Sequence, residues 1–397
     1  MAYDFDRIIP RRNTDSLKFD YAKKRGRPED ILPLWVADMD FSAPPEVLSA
    51  LRERVEHGIF GYSDAADSGY FDALNSWYQT RFDYSFQERW LTKTPGVVYA
   101  LCVAIRALTR EGEGVLIQPP VYYPFTESVV ENNRVLVQNV LVENNGHYEI
   151  DFIDFEQQII DHNVKLFLLC SPHNPVGRVW TRKELITMGE ICLQRGVLVL
   201  SDEIHADFVY PNHRHAVFAS LKPEFEAMTI TCTAPSKTFN LAGLQIANIF
   251  IANDQLRKKF RVEANASGYS QPNVMGLIAS RAAYAHGAAW LEELLVYLRG
   301  NLDFLRDFLA RELPQILLIE PEGTYLAWLD CRGLRLSDAA LNRWITSEAK
   351  LWLDAGTMFG PGGEGFQRIN YACPRATLEQ ALLQLKSAFD SGLPTES

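Results

Sequence analysis

A single lysine, Lys237, lies in the stretch 232-CTAPSKTFNLAG-243, directly after the apolar run 229-TITCT-233. A lysine that loses solvent has a lowered pKa, and its neutral amine can then attack a carbonyl carbon. Surface lysines are much more common than reactive ones, so an exposed position is the alternative explanation. The Ser-Lys-Thr triplet is not part of a phosphate-binding P-loop, because the G-x-x-x-x-G that shapes such a loop does not precede it.

A carboxylate, Asp202, follows another strongly apolar run, 197-VLVLS-201. Burying a carboxylate is costly unless a cation pairs with it, and a bound ligand could supply that cation. The alternative is an ordinary aspartate that caps the next helix.

Two more polar turns follow the same kind of run. Asn174 stands between two prolines in 171-SPHNPVG-177, where an ordinary turn residue is the competing explanation. Gly96 in 94-TPGVV-98 precedes the helical pattern VVYALCVAIRAL, whose amino end could hold a phosphate. A simple glycine turn explains Gly96 equally well.

Short apolar runs separated by helix-length segments predict the elements that position these residues. The predicted strands are 115-VLI-117, 135-VLVQNVLV-142, 164-VKLFLLC-170, 197-VLVLS-201, 229-TITCT-233 and 246-IANIFI-251. The alternation predicts an α/β fold with a largely parallel sheet covered on both faces. A capping box at Thr181 and Glu184 begins one of the helices, and Gly196 ends it. Ligands bind beyond the carboxyl ends of parallel strands, where the candidate residues lie.

The chain is predicted to form two domains. Residues 49–287 form the large domain. Residues 1–48 and 288–397 form a smaller α+β domain from both chain ends, with a long helix from about Ala288, a strand at 324-TYLAWLD-330 and a helix at 377–389.

The composition of the 397-residue chain, with 47% hydrophobic residues and a net charge of -11, predicts a soluble globular protein. The negative charge argues against nucleic-acid and anionic-membrane partners, and the basic stretch 22-AKKRGR-27 is predicted to be a solvated loop. Six cysteines show no metal-ligand spacing, so no metal site is expected. Without a signal peptide or a long apolar run, the expected location is cytoplasmic.

The sequence places a glycine turn, an asparagine, an aspartate and a lysine in this order along the chain. In this it resembles the fold-type-I pyridoxal-phosphate enzymes of the class I/II aminotransferase superfamily. The motifs that carry the resemblance are 171-SPHNPVG-177, 202-DEIH-205, 235-PSKTFNLAGL-244 and 366-FQRINYACPR-375. It implies the cofactor pyridoxal 5'-phosphate. It further implies that Lys237 binds this cofactor covalently and acts as a base, Asp202 pairs with the pyridine nitrogen, Asn174 bonds the ring oxygen and Tyr122 stacks on the ring.

The same resemblance implies the remaining contacts. The phosphate would be held by Gly96, Val97, Val98 and Ser236. Arg368, together with Asn174, would bind the substrate, and Tyr62 would reach the phosphate of the neighbouring subunit. A homodimer with shared active sites follows from this last assignment.

Two positions depart from the superfamily pattern. His205 stands where many members have a tyrosine, and Gln245 stands where an arginine often binds the phosphate. A neutral His205 could still donate to the ring oxygen, and a packed structural histidine is the alternative.

These departures, with 35-WVADMDF-41, 202-DEIHADF-208 and 371-YACPR-375, make the chain similar to the carbon-sulfur β-lyases of the cystathionine β-lyase type. This branch includes a bifunctional lyase and maltose-regulon modulator. The implied reaction is α,β-elimination of L-cystathionine or related cysteine S-conjugates to a thiol, pyruvate and ammonia. The alternatives are an aminotransferase and a regulatory protein that retains the fold to bind a partner. Trp35 and Asp38 either line the substrate end of the cleft or pack the N-terminal segment.

Overall fold

The computed structural model describes residues 2–64 and 68–394. Its strands, in chain order, are β1 (Leu32–Pro33), β2 (Leu91–Thr94), β3 (Gly114–Ile117), β4 (Val135–Gln138), β5 (Val142–Asn144), β6 (His147–Glu149), β7 (Val164–Cys170), β8 (Leu198–Asp202), β9 (Thr229–Thr233), β10 (Ala247–Phe250), β11 (Leu317–Ile319), β12 (Leu326–Asp330), β13 (Leu351–Trp352), β14 (Asp354–Ala355) and β15 (Phe366–Asn370).

The helices, in the same order, are α1 (Pro45–His57), α2 (Ser68–Phe82), α3 (Val97–Leu108), α4 (Pro124–Val130), α5 (Phe152–Asp161), α6 (Arg182–Arg195), α7 (Pro223–Met228), α8 (Pro235–Thr238), α9 (Asp254–Ala266), α10 (Val274–His286), α11 (Ala288–Glu312), α12 (Asp338–Arg343) and α13 (Arg375–Asp390). None of the helices in the described ranges is both long enough and apolar enough to span a membrane.

A seven-stranded sheet with the order β2-β10-β9-β8-β7-β3-β4 forms the centre of the molecule. Its strands are parallel except for β10, which runs antiparallel to both β2 and β9. The predicted sheet is therefore confirmed, with its last predicted strand reversed in direction.

Continuous apolar runs form this sheet because both of its faces are buried. In β7, Leu166 and Leu168 pack with α3 on one face, whereas Phe167 and Leu169 pack with α5 and α6 on the other. The predicted helix between Thr181 and Gly196 is confirmed as α6, which has the complete capping box and a left-handed Gly196 with φ of 67°.

One predicted strand is wrong in its length. The run 135–142 does not form a single strand, because β4 ends at Gln138 and β5 pairs with β6 in a separate hairpin. The buried Asn139 interrupts the run: its side chain accepts from Gln118 at 3.0 Å and donates to Asp154 at 2.8 Å. These bonds hold the chain at the end of the central sheet.

The C-terminal part of the chain forms a four-stranded antiparallel sheet with the order β11-β12-β15-β14, packed with α11 and α13. The predicted long helix from Ala288 is observed as α11, and β12 lies inside the predicted strand 324–330. The N-terminal segment joins this part through β1, which pairs in parallel with β13. One continuous apolar core extends from α1, α2 and α10 to α11 and α13. The predicted boundaries at residues 48 and 288 stay predictions.

Candidate active site

The carboxyl ends of the central strands bring most of the predicted site residues to one cavity. Cys170 and Cys232, the partners of Asp202 in the sheet register, flank this residue on β7 and β9. The turns after β7, β8, β9 and β2 then carry the other polar groups to the same edge. Of the predicted residues, the cavity is lined by Gly96, Val97, Val98, Tyr122, Asn174, Asp202, His205, Ser236 and Lys237.

Asp202 ends β8 as a buried carboxylate that forms no ion pair within the described residues. It accepts a hydrogen bond from the amide of Ile204 at 3.2 Å. Burial raises the pKa of Asp202 to about 7, although the Ile204 amide and the charge of Lys237 both lower it. The carboxylate is therefore poorly solvated and suited to a cationic ligand group.

Lys237 lies in the short helix α8, immediately after β9. Its ammonium donates to the main-chain carbonyl of Ala37 at 2.7 Å. Burial lowers the pKa of Lys237 to about 8, Arg368 lowers it further, and the charges of Asp38 and Asp202 oppose this effect. A fraction of the amine is thus neutral near pH 7 and able to act as a nucleophile or a base.

Arg368 and Asn174 form one hydrogen-bonded unit next to the cavity. The Nη1 of Arg368 donates to Asn174 Oδ1 at 2.9 Å, and its Nη2 donates to the Trp35 carbonyl at 2.9 Å and pairs with Asp354. The Nε of Arg368 is buried and has no acceptor within the described residues. The guanidinium is therefore held in a fixed orientation, with one buried donor that no described residue satisfies. Sequence reasoning missed Asp354, because its role depends on pairing of β14 with β15.

The amino end of α3 lines the same cavity. Gly96 precedes the helix, and Val97 and Val98 are in its first turn, where main-chain N–H groups lack partners within the helix. A Cβ added at Gly96 would meet no atom within 4 Å, so open space lies in front of the helix end. The helix dipole favours an anion in this space. Ser236 contributes to the same cavity.

His205 is buried in the cavity wall against the ring of Tyr325, with ring centroids 5.7 Å apart. Burial moves the pKa of His205 well below its usual value, and the charges of Lys237 and Arg368 add to this effect. Its Nδ1 has no partner within the described residues. A neutral imidazole with an unsatisfied nitrogen can donate to or accept from a ligand.

The motif 202-DEIHADF-208 also contains two buried carboxylates that support the cavity from behind. Glu203 binds His215 at 2.9 Å and the amide of Phe218 at 3.0 Å. Asp207 accepts from the hydroxyl of Thr238 at 2.8 Å, the residue after Lys237. These two residues position β8 and α8 without lining the cavity.

Residues 35–41, which we term the N-terminal strap, contact Lys237, and Ala37 of this segment lines the cavity. The carbonyl of Ala37 accepts from Lys237 and also from the hydroxyl of Tyr325 at 2.8 Å. The side-chain amides of Asn240 and Asn370 donate to four further strap carbonyls at 2.6 to 2.9 Å. The sequence singled out Trp35 and Asp38 in this segment. The contribution of the Ala37 carbonyl was missed, since main-chain groups leave no residue-type signal.

Tyr62 and Gln245 lie outside this cavity, in an adjacent surface cleft that they line together with Pro95. Tyr62 is 96% exposed and is not brought to the other predicted residues within the subunit. The predicted contact of Tyr62 with a neighbouring subunit stays a prediction.

The sequence matches a known family over most of its length: residues 29–385 match the family described as Aminotransferase class I and II. The chain belongs to the class I and II aminotransferase family. It is 44% identical over 385 residues to the cystathionine beta-lyase PatB of Bacillus subtilis (strain 168), with 97% of this chain and 99% of that protein covered. It is 34% identical over 387 residues to the protein MalY of Escherichia coli (strain K12), with 97% and 98% covered.

A solved structure of the same fold is cystalysin from Treponema denticola, which contains a pyridoxal 5'-phosphate cofactor. The two chains superpose with a TM-score of 0.95 at 37% identity, covering 98% of this chain and 100% of that chain. The family and the fold type that the sequence motifs predict are therefore confirmed.

The residues of the cavity fit the cofactor that this aminotransferase family implies, which combines an aldehyde, a pyridine nitrogen and a phosphate. Lys237 offers an amine of lowered pKa for the aldehyde, and Asp202 offers a buried carboxylate for a protonated pyridine nitrogen. The open space before α3 suits the phosphate. The roles of the individual residues stay predictions.

The lowered pKa of Lys237 can be tested on the protein without cofactor. Only the neutral amine reacts with an acylating reagent, so labelling of Lys237 should rise with pH around a midpoint near 8, well below the ordinary lysine value of 10.5. Peptide mass spectrometry measures the labelled fraction at each pH. The Asp38→Asn variant should shift this midpoint lower, because the Asp38 charge opposes the lowering. A midpoint above 10, or a rise in the variant, would contradict this assignment.

Proposed function

We propose that this protein is a pyridoxal 5'-phosphate-dependent carbon-sulfur β-lyase that converts L-cystathionine or a related cysteine S-conjugate to a thiol, pyruvate and ammonia. The observation that carries the proposal is the presence of Lys237 and the buried Asp202 in one cavity, next to a fixed Arg368. The similarity to a protein named cystathionine beta-lyase, at 44% identity over nearly the whole chain, supports elimination as the reaction.

When bound, the cofactor supplies an aldehyde for the substrate amino group and a ring that withdraws electrons from Cα. Arg368, through its open Nε, and the neighbouring Asn174 orient the substrate carboxylate. The Lys237 amine removes the Cα proton, for which its pKa of about 8 is well placed. Asp202 would keep the pyridine nitrogen protonated while a thiolate leaves from Cβ. The remaining three-carbon enamine, once released, is hydrolysed by one water molecule to pyruvate and ammonia.

The Ala37 carbonyl gives Lys237 a defined position for this proton transfer. It accepts from the ammonium at 2.7 Å and is itself held by Tyr325. An acceptor within hydrogen-bond reach keeps the amine from swinging toward Asp202 after it receives the proton.

An assay without any 2-oxo acid separates elimination from transamination. Purified protein with pyridoxal phosphate should release pyruvate and homocysteine from L-cystathionine in equal amounts, measured by coupled lactate dehydrogenase and a thiol reagent. Lys237→Ala should lower the rate about 10²- to 10⁴-fold through loss of the base. The control Lys183→Ala removes an exposed lysine on α6 and should retain the rate.

Turnover that requires an added 2-oxo acid would instead identify an aminotransferase. A protein that binds pyridoxal phosphate without either turnover would favour the partner-binding hypothesis.

We further propose a cytoplasmic homodimer with shared active sites and a small-molecule substrate. The exposed side chains of Ile59, Phe60 and Tyr62 between α1 and α2 support the dimer, because monomers rarely expose such apolar groups together. The free cysteines, most of them buried, are typical of a reducing compartment.

Mixed dimers test whether Tyr62 completes the site of the neighbouring subunit. A dimer of one Lys237→Ala chain and one Tyr62→Ala chain would contain one site with both changes and one with neither. Co-refolding the two variants should therefore restore about one quarter of the wild-type activity. The matched control mixes Lys237→Ala with the double variant and should restore none. Activity equal to the mean of the two separate variants would show that Tyr62 does not contribute to the active site of the neighbouring subunit. Sedimentation analysis gives the oligomeric state.

A further inference from the structure

Two stacked indoles lie between the basic stretch 22–27 and the candidate substrate site. The rings of Trp35 and Trp352 are stacked, with centroids 4.5 Å apart and planes at 10°. The guanidinium of Arg25 lies over Trp35 at 5.3 Å, and that of Arg27 lies over Trp352 at 5.9 Å. Since Trp352 covers one face of Trp35, Arg25 takes the other face.

The local chain conformation delivers both arginines to this stack. Residues Lys23–Arg25 form a single helical turn, which ends at Gly26 in the left-handed conformation with φ of 68°. The reversal at Gly26 places Arg25 and Arg27 on neighbouring indoles, whereas Lys23 and Lys24 are exposed as the sequence predicts for a solvated loop. Arg25 is also exposed, as predicted for a solvated loop, whereas Arg27 is partly buried.

The stack adjoins Arg368, the predicted partner of the substrate carboxylate. The main-chain carbonyl of Trp35 accepts from Arg368 at 2.9 Å. Tyr123 follows the cavity residue Tyr122. Burial raises the pKa of Tyr123, whereas the charges of Arg368 and Arg25 both act to lower it, so both arginines lie near its hydroxyl. Arg368 is 2% exposed and Arg25 is exposed, so Arg25 marks the solvent side of the same region.

Two donors in the stack have no partner within the described residues, one of them buried and the other exposed to solvent. Trp35 is 8% exposed, and its buried indole N–H has no acceptor within the described residues. Arg25 forms no ion pair with any carboxylate of the described chain. By contrast, Arg27 donates to the hydroxyl of Thr346 at 2.9 Å. A buried N–H without an acceptor is costly, and a bound acceptor would remove that cost.

We propose that Arg25 and the indole N–H of Trp35 form a second anion subsite, which binds the carboxylate at the far end of a dicarboxylic S-conjugate such as L-cystathionine. The inference rests on the proposed lyase function and adds the substrate class to it. Arg368 binds the carboxylate next to the reacting carbon, and the second subsite selects substrates that carry another carboxylate beyond the sulfur. Stacking on a rigid indole pair orients the guanidinium in advance, so less freedom is lost on binding.

The test compares L-cystathionine with S-ethyl-L-cysteine, which has the same reacting bond and lacks the far amino-acid group, including its carboxylate and its ammonium. For each enzyme variant, the ratio of the two kcat/KM values is measured by pyruvate release. Arg25→Gln should lower this ratio by about tenfold or more, because a hydrogen bond to a charged group is lost. The loss should appear in KM for L-cystathionine with little change in kcat, since the far carboxylate is bound equally before and during the reaction.

Two further variants show whether the ratio depends on the indole N–H of Trp35 and on the charge of Arg25 in particular. Trp35→Phe keeps an aromatic ring and removes the N–H, and it should lower the ratio in the same direction. The matched control Lys24→Gln removes a charge from the same helical turn, where Lys24 lies over the ring of Tyr21, and should leave the ratio unchanged.

The outcomes distinguish the subsite from the lyase function. A wild-type enzyme that cleaves both substrates, with a ratio that Arg25→Gln and Trp35→Phe leave at the wild-type value, would overturn the subsite and keep the lyase. A parallel fall for both substrates would assign Arg25 a structural role and also overturn the subsite. A wild-type enzyme that cleaves neither substrate would overturn both proposals.

Discussion

Asp202 ends β8 with a carboxylate that is 6% exposed and forms no ion pair with the described residues. Such a group is costly to bury unless a cation pairs with it. No described residue supplies this cation, which leaves the position to a ligand. The ammonium of Lys237 is held on the Ala37 carbonyl instead of pairing with the carboxylate. Both residues line the same cavity without forming an ion pair with each other. Burial raises the pKa of Asp202 and lowers that of Lys237, so both depend on the same enclosed cavity.

The N-terminal strap makes this enclosure possible and connects it to the second part of the chain. Side chains from α8 and its following turn, from Tyr325 just before β12, and from β15 donate to strap carbonyls. The strap carboxylates Asp38 and Asp40 bind Arg11 and the fully buried Lys18. Arg368 donates to the Trp35 carbonyl and pairs with Asp354, so the strap and the substrate arginine are fixed together. A displacement of the strap would thus alter both Lys237 and Arg368.

The sequence predicted the central sheet because strands buried on both faces read as uninterrupted apolar runs, as in 164-VKLFLLC-170. Asn174, Asp202 and Lys237 were singled out because each follows one of these strands, whereas Tyr122 and the remaining cavity residues came from the family resemblance. The break at Asn139 was missed because it depends on side-chain bonds to Gln118 and Asp154, which are distant in the sequence. The carbonyl of Ala37 was missed because a main-chain group leaves no residue-type signal, and the stacking of Trp35 on Trp352 because it joins residues distant in the sequence.

The protonation state of the cofactor's pyridine nitrogen tests most directly whether Asp202 has the central role. Pyridoxal phosphate labelled with ¹⁵N in the ring would be bound to the wild-type protein and to Asp202→Asn, and the ¹⁵N chemical shift recorded at neutral pH. A carboxylate in contact with the ring nitrogen stabilises the pyridinium form, so the wild-type shift should be that of a protonated nitrogen and the variant shift that of a neutral one. A neutral nitrogen in the wild type, or the same shift in both proteins, would contradict this role of Asp202.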